Sequence, residues 1–406
     1  RDTRRSGPML LDALAAGLAS EGLDVVDAGV IPTPGLAWLA AERGVPAAMV
    51  SASHNPFADN GIKLFGRGGA KLSISDESAV QDELARITSV APAFSHSARG
   101  ATQVGTISLD PDAAEDYIGY LAGVVAGAGG FRGRIVVDCA NGSASVVAPR
   151  VLERLGIEHS VISASPDGVN INARCGSTHL ESLVTEVLRS GAELGVAFDG
   201  DADRILAVDH AGNVIDGDQL IAMFACDLQD QGRLKGDHVV VTVLSNLGLR
   251  SALTARGVAV TVTPVGDRHV ADALESGGYV LGGEQSGHLI FREHAATGDG
   301  MLTALKLLDL LARTESSLLD LADSAMQRLP QAMVNVPVRD RTLLESASAV
   351  WAEVRAVEAE LGETGRVVLR PSGTEPAVRV MVEAPTAEEV ERYVQRLAGV
   401  VARELA

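Results

Sequence analysis

The chain has 406 residues, 46% of them hydrophobic and 21% charged, with a formal net charge of −19. That length exceeds one ordinary core and implies two to four domains, and the composition excludes a disordered chain. The surplus of carboxylates argues against a protein that coats nucleic acid or an anionic membrane, because both attractions grow with surface Lys and Arg. A small phosphorylated ligand, which needs only a few local cations, stays open. The uncharged run 117–131 is Gly-rich and shorter than the roughly 20 residues a spanning helix needs. Cys139, Cys175 and Cys226 are far apart, odd in number and in no C-x-x-C. Neither a zinc knuckle nor a disulfide framework is expected, and a reducing cytoplasm is the natural setting. The opening R-D-T-R-R-S-G shows no targeting segment.

In chain order, the first informative element is the apolar run 47–50, which ends in S-A-S-H-N-P at 51–56. A serine at a strand end beside His and Asn reads as a nucleophile or as a polar turn, and Asn-Pro stops the strand. Lys63 follows in D-N-G-I-K. A strand is predicted over 134–138, then C-A-N-G-S and a helix to Leu155. Between the apolar runs 194–198 and 205–208 lies D-G-D-A-D-R, which places Asp199, Asp201 and Asp203 at alternate positions. Three such carboxylates fall on one side of an extended or turning backbone and repel unless a hard cation sits among them. An EF-hand fails, because Arg204 stands where its Gly belongs and His210 where its Glu belongs. Open positions suit Mg²⁺ holding a phosphate, and a solvated acidic turn is the bland alternative.

Farther on, strands are predicted over 239–244 and 258–264, the second running through V-G-D-R-H into a helix over 270–275. The run 279–281 leads into G-E-Q-S-G-H, whose mixed donors and acceptors suit a polyhydroxylated ligand or decorate a plain β-turn. The tail reads as a strand over 333–339, a charged helix over 343–361, two strands flanking R-P-S-G-T-E-P, and an amphipathic helix over 387–405. Arg370, with Arg379 beyond, can grip phosphate oxygens, and the loop lacks the G-K-[ST] of a P-loop. A surface turn is the alternative. Strands alternating with helices predict α/β layers with largely parallel sheets, and the tail predicts helices on a mainly antiparallel sheet. Boundaries fall near Asp112, Gly217 and Gln331, giving units 1–112, 113–217, 218–331 and 332–406. No internal repeat is visible.

Taken together and in this order, S-A-S-H-N-P, D-G-D-A-D-R, G-E-Q-S-G-H and R-P-S-G-T-E-P resemble the signature loops of the α-D-phosphohexomutase superfamily. C-G-S-T-H at 175–179 and A-A-T-G-D-G at 295–300 strengthen the likeness, which covers nearly the whole chain. The resemblance implies three similar α/β domains and a C-terminal α+β domain, each giving one loop to a central cleft. It implies Ser53 as the phosphoserine, with Ser51 structural. Asp199, Asp201 and Asp203 would hold one Mg²⁺ together with a phosphoserine oxygen. Glu284 and Ser286 would grip sugar hydroxyls. Arg370, Ser372, Gly373, Thr374 and Arg379 would clamp the non-reacting phosphate. His54, Lys63 and His288 would serve proton transfer or charge neutralisation, and Arg204 would sit beside the phosphoserine. The implied reaction exchanges the 6- and 1-phosphates of a hexose through a 1,6-bisphosphate, which also primes the enzyme. The Gln285 loop favours glucosamine 6-phosphate over glucose or mannose phosphates, so glucosamine 1,6-bisphosphate is the expected intermediate. A cytoplasmic homodimer is implied, with a small sugar phosphate as partner. A catalytically silent sugar-phosphate binder is the alternative of another class. The family also opens with a segment resembling F-G-T-D-G-x-R-G, which has no counterpart ahead of Arg1 here. It would add a strand to the first domain and an arginine to the cleft.

Overall fold

Residues 1–89, 103–372 and 375–405 are described by the structure, a computed structural model. The predicted strand 134–138 and the apolar runs 194–198 and 205–208 form the centre of the main sheet, and two strands the sequence did not announce complete it, in the spatial order Glu158–Ile162, Arg134–Asp138, Leu194–Phe198, Ile205–Asp209 and Val214–Ile215. The first three are parallel and the last two join antiparallel. Every residue of Leu194–Phe198 is buried, as expected for a strand covered on both faces.

A second sheet follows in the order Ala259–Thr263, His238–Thr242, Leu281–Gly283 and Leu289–Phe291, again parallel, parallel, antiparallel. It repeats the first four strands of the preceding sheet. The repeat is absent from the sequence because the layer needs only apolar runs and turns at the right places, not the same residues. Ahead of both lie two short pairs, Val25–Asp27 parallel to Ile107–Leu109 and Ala47–Val50 antiparallel to Ile62–Phe65.

The C-terminal sheet is wholly antiparallel, with Ala377–Glu383 between Gln331–Pro337 and Arg366–Pro371. The helices Ser348–Leu361 and Ala387–Leu405 pack on it around a separate core of Val350, Val357, Val380, Val394 and Leu397. One predicted element is corrected. The helix expected over 343–361 is a 3₁₀ turn, Arg341–Ser346, and a shorter α-helix, with Ala347 at φ −75°, ψ 77° between them. The Leu344 carbonyl accepts from the Trp351 indole at 2.8 Å and from the Ala347 N–H at 3.2 Å, so the i→i+4 ladder does not pass through it.

The topology places the chemistry-bearing loops alike. Residues 51–61, 199–204, 284–288 and 372–376 each connect two antiparallel neighbours of a sheet. For D-G-D-A-D-R and R-P-S-G-T-E-P the flanking apolar runs predicted by the sequence are the paired strands, and all four loops are hairpin tips, with ends held about 5 Å apart by the strand pair below. Among the described residues, no helix is long and apolar enough to cross a membrane.

Candidate active site

Ser53 sits at the first hairpin tip, with its backbone in the left-handed region at φ 52°. Its N–H donates to Ser51 Oγ at 3.0 Å, and the Ser51 hydroxyl donates to Asp2 Oδ2 at 2.7 Å. The Ser53 carbonyl accepts from Arg4 Nη2 at 2.9 Å and from Asn172 Nδ2 at 2.8 Å. So fixed, the Ser53 hydroxyl donates to Asp199 Oδ2 at 2.5 Å. His54 lies next to it, Nδ1 at 3.4 Å from Oγ. Burial, then the Arg204 charge, push the imidazole below the ordinary histidine value. Gly200 lets this loop approach the acidic one: a Cβ there would lie 2.7 Å from the Ser53 carbonyl. Gly200→Ala is therefore expected to displace Ser53 and lower turnover about 10- to 100-fold. Initial rates beside a melting curve check this, and an unaltered rate would show that the approach does not matter.

The second tip brings Asp199, Asp201 and Asp203 together as the alternate spacing predicted. All are buried, and one oxygen from each lies within 4.8 Å of the others. Lys63, on the strand Ile62–Phe65, reaches across to Asp201 Oδ2 at 2.6 Å and Asp203 Oδ2 at 3.3 Å. The Thr33 hydroxyl donates to Asp201 Oδ2 at 2.5 Å. Burial alone would push the Lys63 ammonium down, but Asp201 and Asp203 outweigh it and hold it far above the usual lysine value. Burial, with the charges of Asp203 and Asp201, pushes Asp199 well up. Burial acts the same way on Asp203, but Lys63 and His288 overcome it and hold this carboxyl well below its usual range. Asp201 Oδ1 and Asp203 Oδ1 are buried without a hydrogen-bond partner. Unpartnered carboxylate oxygens are costly in a buried site, and a hard divalent cation is the ligand that satisfies them. The three carboxylates fit Mg²⁺. Arg204 donates its backbone N–H to Asp199 Oδ1 at 3.2 Å, and its buried Nε has no hydrogen-bond partner.

At the third tip, Gly287 has φ 92°, and a Cβ there would lie 1.9 Å from the Ile205 carbonyl. Ile205 donates its N–H to the Gly287 carbonyl at 3.0 Å, so this loop is laid against the acidic hairpin. Glu284 accepts from the Gly266 N–H at 3.1 Å, and Ser286 is exposed. His288 is buried, with Nδ1 at 3.7 Å from Asp203 Oδ1 and Nε2 accepting from the Gly298 N–H at 2.9 Å. Gln285, expected to favour glucosamine, turns its amide toward Gln331 Oε1 at 3.0 Å and Asp216 Oδ2 at 3.4 Å. That side chain is engaged within the protein, at the joint with the last unit.

In the C-terminal sheet Arg370 and Arg379 are directly opposite each other. Like charges in register repel, and both Nε atoms are buried without partners. Burial, then Arg379, lower the Arg370 value. Two guanidinium groups held together, with no carboxylate partner among the described residues, make a preorganised anion site. Ser372 is buried beside them, its Oγ accepting from the Glu375 N–H at 3.3 Å. Gly373 and Thr374 lie outside the described residues. Arg379→Met is expected to raise KM for a sugar phosphate about tenfold or more, with a smaller change in kcat. Equal KM values in steady-state assays would remove it from phosphate binding.

Sequence reasoning missed several supporting groups. Arg341 donates to the Ser372 carbonyl; Arg366 bridges Glu383 at 2.6 Å and donates to the Val243 carbonyl at 3.0 Å, tying the last sheet to its neighbour. Arg4, Thr33 and Asn172 were also unmarked. None carries a periodic signal, and none stands in the four loops.

A serine hydroxyl on a buried carboxylate cluster, paired with an anion site, belongs to a class of phosphoryl-transfer enzymes. Phosphoglucomutase/phosphomannomutase family profiles match the chain in succession: alpha/beta/alpha domain I at residues 1–91, II at 115–212, III at 216–329 and the C-terminal domain at 333–400. The chain belongs to this family, the phosphohexomutases, isomerases that transfer phosphate within a sugar phosphate. It is 50% identical over 408 residues to the phosphoglucosamine mutase of Parafrankia sp. (strain EAN1pec), covering 100% of this chain and 86% of that one. It is 49% identical over 409 residues to that of Kineococcus radiotolerans, covering 100% and 89%. A crystal structure of a phosphoglucomutase/phosphomannomutase family protein from Burkholderia thailandensis has TM-score 0.77 at 25% identity, covering 100% of this chain and 88% of that one. The fold is also that of Aspergillus fumigatus N-acetylphosphoglucosamine mutase, solved with GlcNAc-6P and magnesium, at TM-score 0.73 and 20% identity over 98% and 99%.

Proposed function

We propose that the chain interconverts glucosamine 6-phosphate and glucosamine 1-phosphate through a phosphoserine at Ser53 and glucosamine 1,6-bisphosphate. The observation that carries this reading is the Ser53 hydroxyl on Asp199, at the edge of a buried carboxylate cluster, in a chain half identical to phosphoglucosamine mutases along its length. In our reading the chain divides at 112, 217 and 331 into four units, each giving one hairpin loop.

Arg370, Arg379 and Ser372, with Gly373 and Thr374, hold the sugar's existing phosphate. Glu284 and Ser286 hold its hydroxyls. The free sugar hydroxyl then faces phosphorylated Ser53. Its oxygen forms the new bond to phosphorus as the Ser53 Oγ bond breaks, and its proton goes to a nearby base. His54, whose lowered value favours the neutral ring, is the imidazole beside Oγ, at 3.4 Å, and is our candidate for that base. The bisphosphate turns in the cleft, and its other phosphoryl group returns to Ser53. Mg²⁺ held by Asp199, Asp201 and Asp203 would neutralise charge on the transferring oxygens. Lys63, held charged by two carboxylates, neutralises rather than shuttles protons. We assign His288 to holding Asp203, because Nε2 is engaged by Gly298 and the ring is buried.

A coupled assay on glucosamine 6-phosphate, glucose 6-phosphate and mannose 6-phosphate, with Mg²⁺ and bisphosphate primer, tests the proposal. A glucosamine preference supports it. Preference for glucose or mannose phosphates would favour the phosphoglucomutase/phosphomannomutase reading that the family profiles also allow. Binding without turnover would favour a silent binder. We place the enzyme in the cytoplasm as a homodimer, the latter to be checked by sedimentation.

A further inference from the structure

The R-D-T-R motif at the start of the sequence has no part in the chemistry above, yet it builds the most completely buried ionic group near the site. Arg4 and Asp2 are both fully buried, and Arg4 Nε donates to Asp2 Oδ2 at 2.9 Å. The remaining guanidinium nitrogens donate only to backbone carbonyls of the Ser53 loop. Nη2 donates to Ser53 at 2.9 Å and Asn55 at 2.8 Å; Nη1 donates to Asp59 at 3.0 Å and to Pro56. Asp2 takes the Arg4 N–H and the Ser51 hydroxyl as well, and that hydroxyl receives the Ser53 N–H. From the neighbouring unit, Asn172 Nδ2 donates to the same two carbonyls, Ser53 at 2.8 Å and Asn55 at 3.0 Å.

A buried guanidinium is expensive unless every donor is used and a carboxylate offsets its charge. Here both conditions are met, and no donor goes to a regular sheet or helix. What the expenditure secures is a left-handed serine, a conformation that a residue with a Cβ adopts only under constraint. Other positive-φ residues occur in the protein, but at Ser53 both the N–H and the carbonyl are engaged by buried side chains.

We infer that Asp2–Arg4 and Asn172 are positioning residues that grip the Ser53 loop from two sides and aim its phosphoryl group at the sugar hydroxyl rather than at water. The inference rests on the reading of Ser53 as the phosphoserine. Two reactions compete for that group. In transfer, the sugar oxygen bonds to phosphorus, the Ser53 Oγ–phosphorus bond breaks, and a bisphosphate forms. In leakage, a water oxygen bonds to phosphorus, the same bond breaks, and inorganic phosphate leaves with a free Ser53. Transfer depends on alignment of two held oxygens, whereas leakage uses a mobile water, so a loosened loop loses transfer selectively.

The test uses Arg4→Lys, whose single ammonium cannot span four carbonyls, and Asn172→Gly. The glycine removes the amide without strain, since Asn172 itself has φ 56°. Intact-mass measurement first establishes phosphate on Ser53 in the unaltered protein; its absence after priming would overturn the phosphoserine reading itself. Phosphorylated protein is then mixed with glucosamine 6-phosphate or with buffer alone, and bisphosphate and inorganic phosphate are measured. The expected result for both variants is a loss of transfer of about 100-fold, leakage unchanged or faster, and sugar-phosphate affinity within about threefold of the original. Transfer and leakage falling together, or a folded variant with the original transfer rate, would overturn the inference. If Arg4→Lys fails to fold, Asn172→Gly alone decides between these outcomes.

Discussion

Ser53→Ala is expected to lower mutase turnover by about 10⁴-fold or more, the scale on which loss of a covalent nucleophile is felt. Alanine tolerates the backbone as well as serine does, so the loop should keep its place through Arg4 and Asn172. The lost hydroxyl leaves Asp199 Oδ2 without its donor, but that oxygen faces the cluster where a cation would compensate. Binding of glucosamine 6-phosphate should therefore persist, because the guanidinium pair at Arg370 and Arg379 is untouched. Calorimetric titration beside a coupled assay separates the two properties. Turnover near the original value would remove Ser53 from the reaction, and loss of both properties would point to a collapsed loop.

The second large effect is expected of Asp201→Asn. Asp201 contributes one of three convergent oxygens, and it also takes the Lys63 ammonium at 2.6 Å. The amide keeps the shape but removes an anion, which weakens a hard-cation site built on charge. Half-maximal activity should then need about 10²-fold more Mg²⁺. The thermal response should change in parallel. A ligand at 100 times its Kd stabilises the folded state by about 2.7 kcal/mol, so Mg²⁺ should raise the melting temperature of the original protein and not of the variant. An identical Mg²⁺ dependence in both would show that the metal binds elsewhere.

Much of the fold was legible because its strands are short apolar runs bounded by Gly and polar turns. Arg134–Asp138 and Leu194–Phe198 announce themselves as buried strands, and the last helix, Ala387–Leu405, by its amphipathic spacing. The break at Ala347 was not legible. It depends on an indole donating to a carbonyl seven residues back, and neither composition nor period encodes that. The candidate site divides in the same way. The alternate carboxylates of D-G-D-A-D-R predicted their own convergence, although they meet in a hairpin tip with Ala202 at φ 57° rather than along a strand. Arg4 and Asn172 could not be found by spacing, since they act across 49 and 119 residues on carbonyls that leave no trace in side-chain identity. Gln285 marked the right relatives in the sequence, but the role of its amide, engaged with Gln331 and Asp216 at the joint with the last unit, could not be read from the loop alone.

The hairpin origin of all four loops has a bearing on how such a scaffold can diversify. A tip whose two ends are already adjacent can change length or residues without rethreading the sheet beneath it, and the entropic cost of extra residues grows only slowly. Each tip also stands on its own strand pair, so the loop at 284–288 can change at Gln285 or Ser286 while Gly287 and His288 keep their contacts with the acidic hairpin. A lineage built this way can retune what it accepts one loop at a time, while the transfer step itself is inherited intact.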